Sequence, residues 1–303
     1  MTTHSDSNDN SDMSNDVNDH VNDHVNDHMN DHTAASELSP AELSPALERL
    51  HSHLQSLGLL EADGILEYRL EAAAKHNSTY AAFLLDLLDE ETRARRQRAL
   101  HTRTQLARLP RGKTLENFDF SFQPSIDERT VRELATLRFV HEAENVILLG
   151  PPGVGKTHLA AGLATEAVRG GFAAYFITAH DLTVALSNAA RDGKLAQQMK
   201  VYLRPKVLVI DEVGYLPMDE KGASILFQLI STRYERGSIL LTSNKSYGEW
   251  DTIFGETTIA TAILDRLLHH STTINIKGES YRLRERKKAG LLAAPKPQSV
   301  VKS

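Results

Sequence analysis

An α/β fold, a doubly wound parallel sheet flanked by helices, is predicted by three features of the chain. Val146-Ile147-Leu148-Leu149 is an apolar run that feeds Gly150-Pro151-Pro152-Gly153-Val154-Gly155-Lys156-Thr157, and Ala- and Leu-rich helical sequence follows. A second apolar run, Val207-Leu208-Val209-Ile210, ends in Asp211-Glu212. Strand and helix patterns alternate between and after these two runs, which places ligands at the carboxyl ends of the strands.

The spacing Gly-x-x-x-x-Gly-Lys-Thr is that of a phosphate-binding loop. Gly150, Gly153 and Gly155 allow backbone conformations closed to residues with a Cβ, so successive N–H groups can turn toward phosphate oxygens. The following helix aims its positive dipole end at the same anion. Lys156 is expected on the β and γ phosphates of ATP, Thr157 on Mg²⁺, and Pro151, Pro152, Val154 and His158 beside the nucleotide. Asp211 is expected to hold Mg²⁺ through water, and Glu212 to polarise the water that attacks the γ-phosphate. A third strand, residues 238–244, ends in Asn244, which fits between the γ-phosphate and that water; a strand-terminal Asn is equally a turn former.

The elements are predicted in order. Residues 1–43 form an acidic tail rich in His, Asn and Asp, with a VNDH-type repeat from Asn18 to His32. Such composition buries too little apolar surface to offset chain entropy, so disorder is expected. In a helical state His20, His24, His28 and His32 would share a face and make a metal site, which the poor helix propensity of Asn and Asp opposes.

Residues 44–109 read as a helical N-terminal domain for DNA or a partner. Leu47, Leu50, Leu54 and Leu57 recur at helical spacing, Gly58 interrupts, and further helices are predicted over 61–75 and after Asn77-Ser78-Thr79. The last carries Arg93, Arg95, Arg96, Arg98 and Arg103, with no acidic residue between Glu91 and Lys113. Clustered Arg suits a nucleic-acid backbone, with the alternative of pairing to acidic neighbours in an assembly. Residues 110–125 read as an ordered linker, 126–290 as the ATPase domain opening on a helix over 127–142, and 291–303 as a flexible tail. Lys287 and Lys288 end a second basic cluster with a possible DNA role.

Composition narrows the class. The net charge is −6, yet all 34 Lys and Arg lie beyond residue 44 with 30 acidic residues, so the folded part is mildly basic. No run of 18 apolar residues occurs, so no membrane partner is expected. The absence of cysteine excludes disulfides and thiolate metal sites and fits a cytoplasmic location.

The two Walker-type motifs and the strand ending in Asn resemble the AAA+ ATPases. Ser243-Asn244-Lys245, Glu249-Trp250, Ile253-Phe254-Gly255, the run from Ala260 to His270, and Gly278-Glu279-Ser280-Tyr281-Arg282-Leu283 resemble the IstB-like helper ATPases of insertion sequences, which are related to the DnaC helicase loaders. The resemblance spans about residues 45–290 and includes Leu115-Glu116-Asn117-Phe118-Asp119-Phe120. It implies an ATPase that assembles as a homo-oligomer on double-stranded DNA and stimulates the transposase of the same element. It also implies that Arg266 acts as an arginine finger in trans and that Arg282 acts as a second sensor near the γ-phosphate. Only 37 residues follow Arg266, so any helical lid is reduced. No cluster of three metal-binding acids suited to DNA cutting is evident, which assigns the strand chemistry to the partner. A DnaC-like helicase loader is the alternative, and an NTPase with no nucleic-acid role is a third reading.

Overall fold

A computed structural model describes residues 40–288, with the side chains of 40–43, 285, 287 and 288 outside the description. The VNDH repeat lies outside the described residues, as do the side chains of Lys287 and Lys288. The chain forms two compact units that meet at Glu91 and Thr92.

The first unit is helical where described. Helix α1 (Pro40–Ser56) and α2 (Leu60–Lys75) precede α3 (Tyr80–Ala107), whose first turns belong to this unit. Ala62, Leu66 and Leu87 are buried, with Leu47, Leu54 and Phe83 packed on them, so two of the four leucines predicted on the first helix face the core, whereas Leu50 and Leu57 are exposed. Glu91 is buried and accepts the N–H groups of Glu61 and Ala62 at 2.8 and 3.2 Å. A carboxylate there satisfies orphan donors and complements the positive end of α2.

The second unit holds the expected sheet. In chain order it comprises α4 (Glu128–Leu134), α5 (Arg138–His141), β1 (Asn145–Leu149), α6 (Lys156–Arg169), β2 (Ala174–Thr178), α7 (Ala179–Arg191), α8 (Leu195–Leu203), β3 (Val207–Val213), α9 (Glu220–Arg233), β4 (Ser238–Ser243), α10 (Asp251–Phe254), α11 (Thr257–Leu268), β5 (Ser271–Asn275) and α12 (Tyr281–Lys288). All strand pairs are parallel, in the order β2-β3-β4-β1-β5. Alternate strand residues feed two cores. Ile147, Leu208, Ile210 and Leu241 pack with α7 to α11 on one face; Val146, Leu148, Val209 and Leu240 pack with α4, α5 and α6 on the other. Side chains of a parallel sheet buried on both faces read as continuous apolar runs, which is why these strands were legible.

Two differences from expectation have local causes. The helix predicted over 127–142 is two helices, because Leu137 takes a left-handed conformation, φ 69°, that ends one and caps the other. Strand β5 has no apolar signature: it lies at the sheet edge beside β1, and of Ser-Thr-Thr-Ile-Asn only Ile274 is buried.

The site ends of β3 and β4 are tied down from their opposite ends by Arg233. Its guanidinium, buried in α9, donates to the carbonyls of Tyr202, Pro205, Lys206 and Ser238 at 2.7 to 3.1 Å. Burial pulls its pKa down to about 10.

Candidate nucleotide site

The loop between β1 and α6 takes the backbone form that the motif requires. Gly153 has φ 83° and Gly155, the N-cap of α6, has φ 102°. A Cβ on Gly153 would overlap Ser280, and one on Gly155 would lie 2.7 Å from the Phe118 ring. The loop is therefore walled by the linker on one side and by the segment after β5 on the other. Those two walls are joined: Gln123 Nε2 donates to Glu279 O at 3.2 Å, and Ser125 Oγ donates to Lys277 O at 2.7 Å. Tyr281 N–H reaches Gly153 O at 3.0 Å, so α12 starts on the loop itself.

A cavity of about 330 Å³ lies over this junction. Gly153 to His158 line it together with Glu212, Thr242, Tyr281 and Arg282. The linker contributes Asn117, Phe118 and Phe122. Phe118 meets His158 edge-on at 5.3 Å and Phe122 meets Tyr281 at 5.0 Å, so aromatic surface lines the cavity beside the phosphate loop. His158 also donates to Thr114 O at 2.9 Å, which pins the linker to α6. Further along, Glu116 pairs with Arg169 at 2.5 Å, and the Thr114 hydroxyl, backbone and Arg169 hold its carboxyl down to about 2.

Lys156 Nζ donates to the carbonyls of Gly150 and Pro151 at 2.7 and 2.9 Å. Burial pushes this ammonium below the usual lysine range, Arg282 adds to that effect, and Asp211 and Glu212 oppose it. An anion in the cavity would offset both influences, because its negative charge favours the protonated ammonium.

The two carboxylates of β3 are parted by a β-bulge. Ile210 pairs with Leu241 and Val213 with Ser243, so Asp211 and Glu212 together face Thr242. Glu212 sits at φ 64°, an uncommon conformation for a residue with a side chain. The result is Asp211 buried and Glu212 exposed to the cavity. Thr157 Oγ1 donates to Asp211 Oδ1 at 3.0 Å, so the hydroxyl and carboxylate expected on Mg²⁺ are adjacent. Two hard oxygen donors side by side fit that cation.

Other expected residues fall outside the cavity lining. Asn244 stands one residue past β4 with Oδ1 buried near Gly214 and without a partner among the described residues. Thr242, which no sequence motif singles out, lines the cavity instead. Arg282 lines it, whereas Arg266 lies on α11 with its guanidinium 5.1 Å from the Tyr234 ring centroid. On α3, Arg93, Arg95, Arg96 and Arg98 are exposed and Arg103 is half-buried. At about 100° per residue, Arg95 and Arg98 fall on one side and Arg96 and Arg103 on another. No helix among the described residues is long and apolar enough to cross a membrane.

Residues 52–289 match the family model described as IstB-like ATP binding protein. The chain is 49% identical over 240 residues to the insertion sequence IS5376 putative ATP-binding protein of Geobacillus stearothermophilus, covering 79% of this chain and 96% of that one. It is 50% identical over 246 residues to the insertion sequence IS21 putative ATP-binding protein of Pseudomonas aeruginosa, covering 81% and 88%. Among solved structures, the DnaC helicase loader overlaps with TM-score 0.43 at 25% identity, over 49% of this chain and 87% of that one. With a phosphate loop, a paired Thr157 and Asp211 and a family match over most of its length, the chain belongs to the IstB-like ATP-binding proteins.

Proposed function

We propose that the protein is a Mg²⁺-dependent ATPase that assembles on double-stranded DNA with ATP bound, recruits and stimulates the transposase of its element, and disassembles on hydrolysis. The observation that carries the reading is the separation of two arginines. Arg282 lines the cavity from its own chain, while Arg266 lies outside it on α11. Phosphoryl transfer needs cationic stabilisation of the γ-phosphate, and an arginine outside its own site can supply it only to a neighbour's. Each ATP site is then completed by a second subunit, which links nucleotide state to oligomerisation.

Within one site, Lys156 trades its two carbonyl acceptors for phosphate oxygens, and Glu212 orients and deprotonates the attacking water. Thr157 and Asp211 hold the cation, which screens phosphate charge. The linker aromatics Phe118 and Phe122 offer the surface for the base. Support for the DNA role comes from the exposed arginines of α3 and from the insertion-sequence relatives. A cytoplasmic location goes with that role.

The test is a duplex gel shift in ATP against ADP, run beside a binding assay with a hexameric helicase. Retention of duplex only with ATP, with capture of the transposase by that complex, is expected. Failure to bind duplex in ATP with tight binding to the helicase sinks the reading in favour of a loader, and an ATPase rate unmoved by DNA sinks it in favour of an NTPase without a nucleic-acid role.

A further inference from the structure

Away from the cavity, the turn after α9 and the turn after α11 bring three metal-binding side chains together. Donor atoms of Glu235, His269 and His270 all lie within 4.8 Å of one another. Glu235 Oε1 and His270 Nε2 are 3.5 Å apart, and the two imidazoles stack edge-on at 4.2 Å between centroids. We infer that Glu235, His269 and His270 form a surface site for one divalent transition ion of the zinc class.

The geometry is near what such an ion needs. Ligands about 2.1 Å from a tetrahedral ion stand about 3.4 Å apart, so one pair is close to that separation and the third donor lies within 4.8 Å of both. Two imidazoles and one carboxylate favour zinc, cobalt or nickel over magnesium and calcium, which prefer oxygen alone. Three protein ligands leave a fourth position open to water or to a group from a neighbouring molecule.

The surroundings orient the ligands. Tyr234 Oη and His269 Nδ1 are 2.6 Å apart, so with Nδ1–H donating to this hydroxyl the ring keeps Nε2 for an ion. A hydrogen bond on the far nitrogen of a metal-bound imidazole fixes its ring and raises its basicity. Glu235 has φ 57°, an uncommon value that turns its carboxylate back to the histidines. The Arg266 guanidinium lies over the same Tyr234 ring, so its charge sits close by, and the Glu235 carboxylate offsets it. The site goes beyond the nucleotide reading and does not depend on it, although it shares Tyr234 with the arginine assigned to the neighbour's ATP.

The full-length chain also carries the histidines of its N-terminal repeat, so the test must resolve single residues. Diethyl pyrocarbonate footprinting with peptide mass spectrometry does so, in zinc chloride at micromolar concentration without nucleotide. Zinc is expected to protect His269 and His270, magnesium to leave them reactive, and Glu235→Gln to raise the zinc concentration for protection by about tenfold or more. His270→Ala should likewise expose His269. Unchanged reactivity of His269 and His270 in zinc overturns the proposal, as does equal protection in the Glu235→Gln protein. Circular dichroism of both variants, superimposable on the parent, verifies that the comparison is made on folded protein.

Discussion

Thr242 donates its hydroxyl to Asp211 Oδ1 at 2.5 Å and, with the same oxygen, accepts the N–H of Glu212 at 2.9 Å. One side chain of β4 thereby holds the Asp211 carboxylate and the Glu212 backbone together at the bulge of β3. Thr242→Val keeps the shape and leaves the Glu212 N–H without its acceptor, at a cost of about 1–3 kcal/mol. Spent on Glu212 alignment, that predicts ATP turnover reduced by about 10- to 100-fold with nucleotide affinity little changed, read by steady-state kinetics beside a nucleotide titration.

Glu212→Gln keeps the side chain's size and removes its basicity. Turnover should fall by about 10²–10⁴, the usual contribution of a general base, while nucleotide binding persists and the DNA-bound assembly becomes long-lived. Lys156→Ala should instead lose nucleotide binding or its consequences. Hydrolysis at the normal rate by the Gln variant would remove Glu212 from the proposed chemistry.

Gly153→Ala places a Cβ into Ser280 at a residue with φ 83°. The strain is on the order of 1–3 kcal/mol, which for a domain of this size lowers the melting temperature by several degrees. Because α12 begins on the carbonyl of this glycine, the variant should also bind nucleotide more weakly. Thermal unfolding with and without ATP measures both effects; an unshifted melting temperature would mean that the contact between loop and tail yields freely.

These contacts mark where the sequence was legible and where it was not. The phosphate loop and the β3 carboxylates announce themselves because their chemistry demands fixed residue types at fixed spacing. Thr242 and Ser280 carry no such signal: each matters through a contact closed by the fold across 31 and 127 residues respectively, from Asp211 and Gly153. Strand β5 gives no signal because Ile274 is its one apolar residue. The phenylalanines mark the linker as ordered, yet nothing in their spacing says that Phe118 and Phe122 line the cavity.

Glu249 gives a pH signature independent of catalysis. The Ser246 hydroxyl and backbone N–H, with Lys245, hold its carboxyl down to about 2 from 4.5. The folded value is depressed, so its stabilising contribution is full above 4.5 and is lost as pH falls toward 2. Glu249→Gln should therefore unfold at lower urea than the parent near pH 7, with the gap closing near pH 2. A gap independent of pH would contradict the assignment.

Arg266→Ala should bind ATP and turn it over slowly. Mixing it with Lys156→Ala should restore activity, since the second protein supplies Arg266 to an intact phosphate loop in the first. Rates that add without gain on mixing would place Arg266 outside the reaction.

The most direct measurement is the mass of the protein on a labelled duplex by sedimentation velocity, in ATP and after conversion to ADP. Subunits sharing Arg266 across ATP sites should give an oligomer on DNA in ATP that disperses in ADP and persists in Glu212→Gln. A monomer on the duplex whatever the nucleotide would contradict the account.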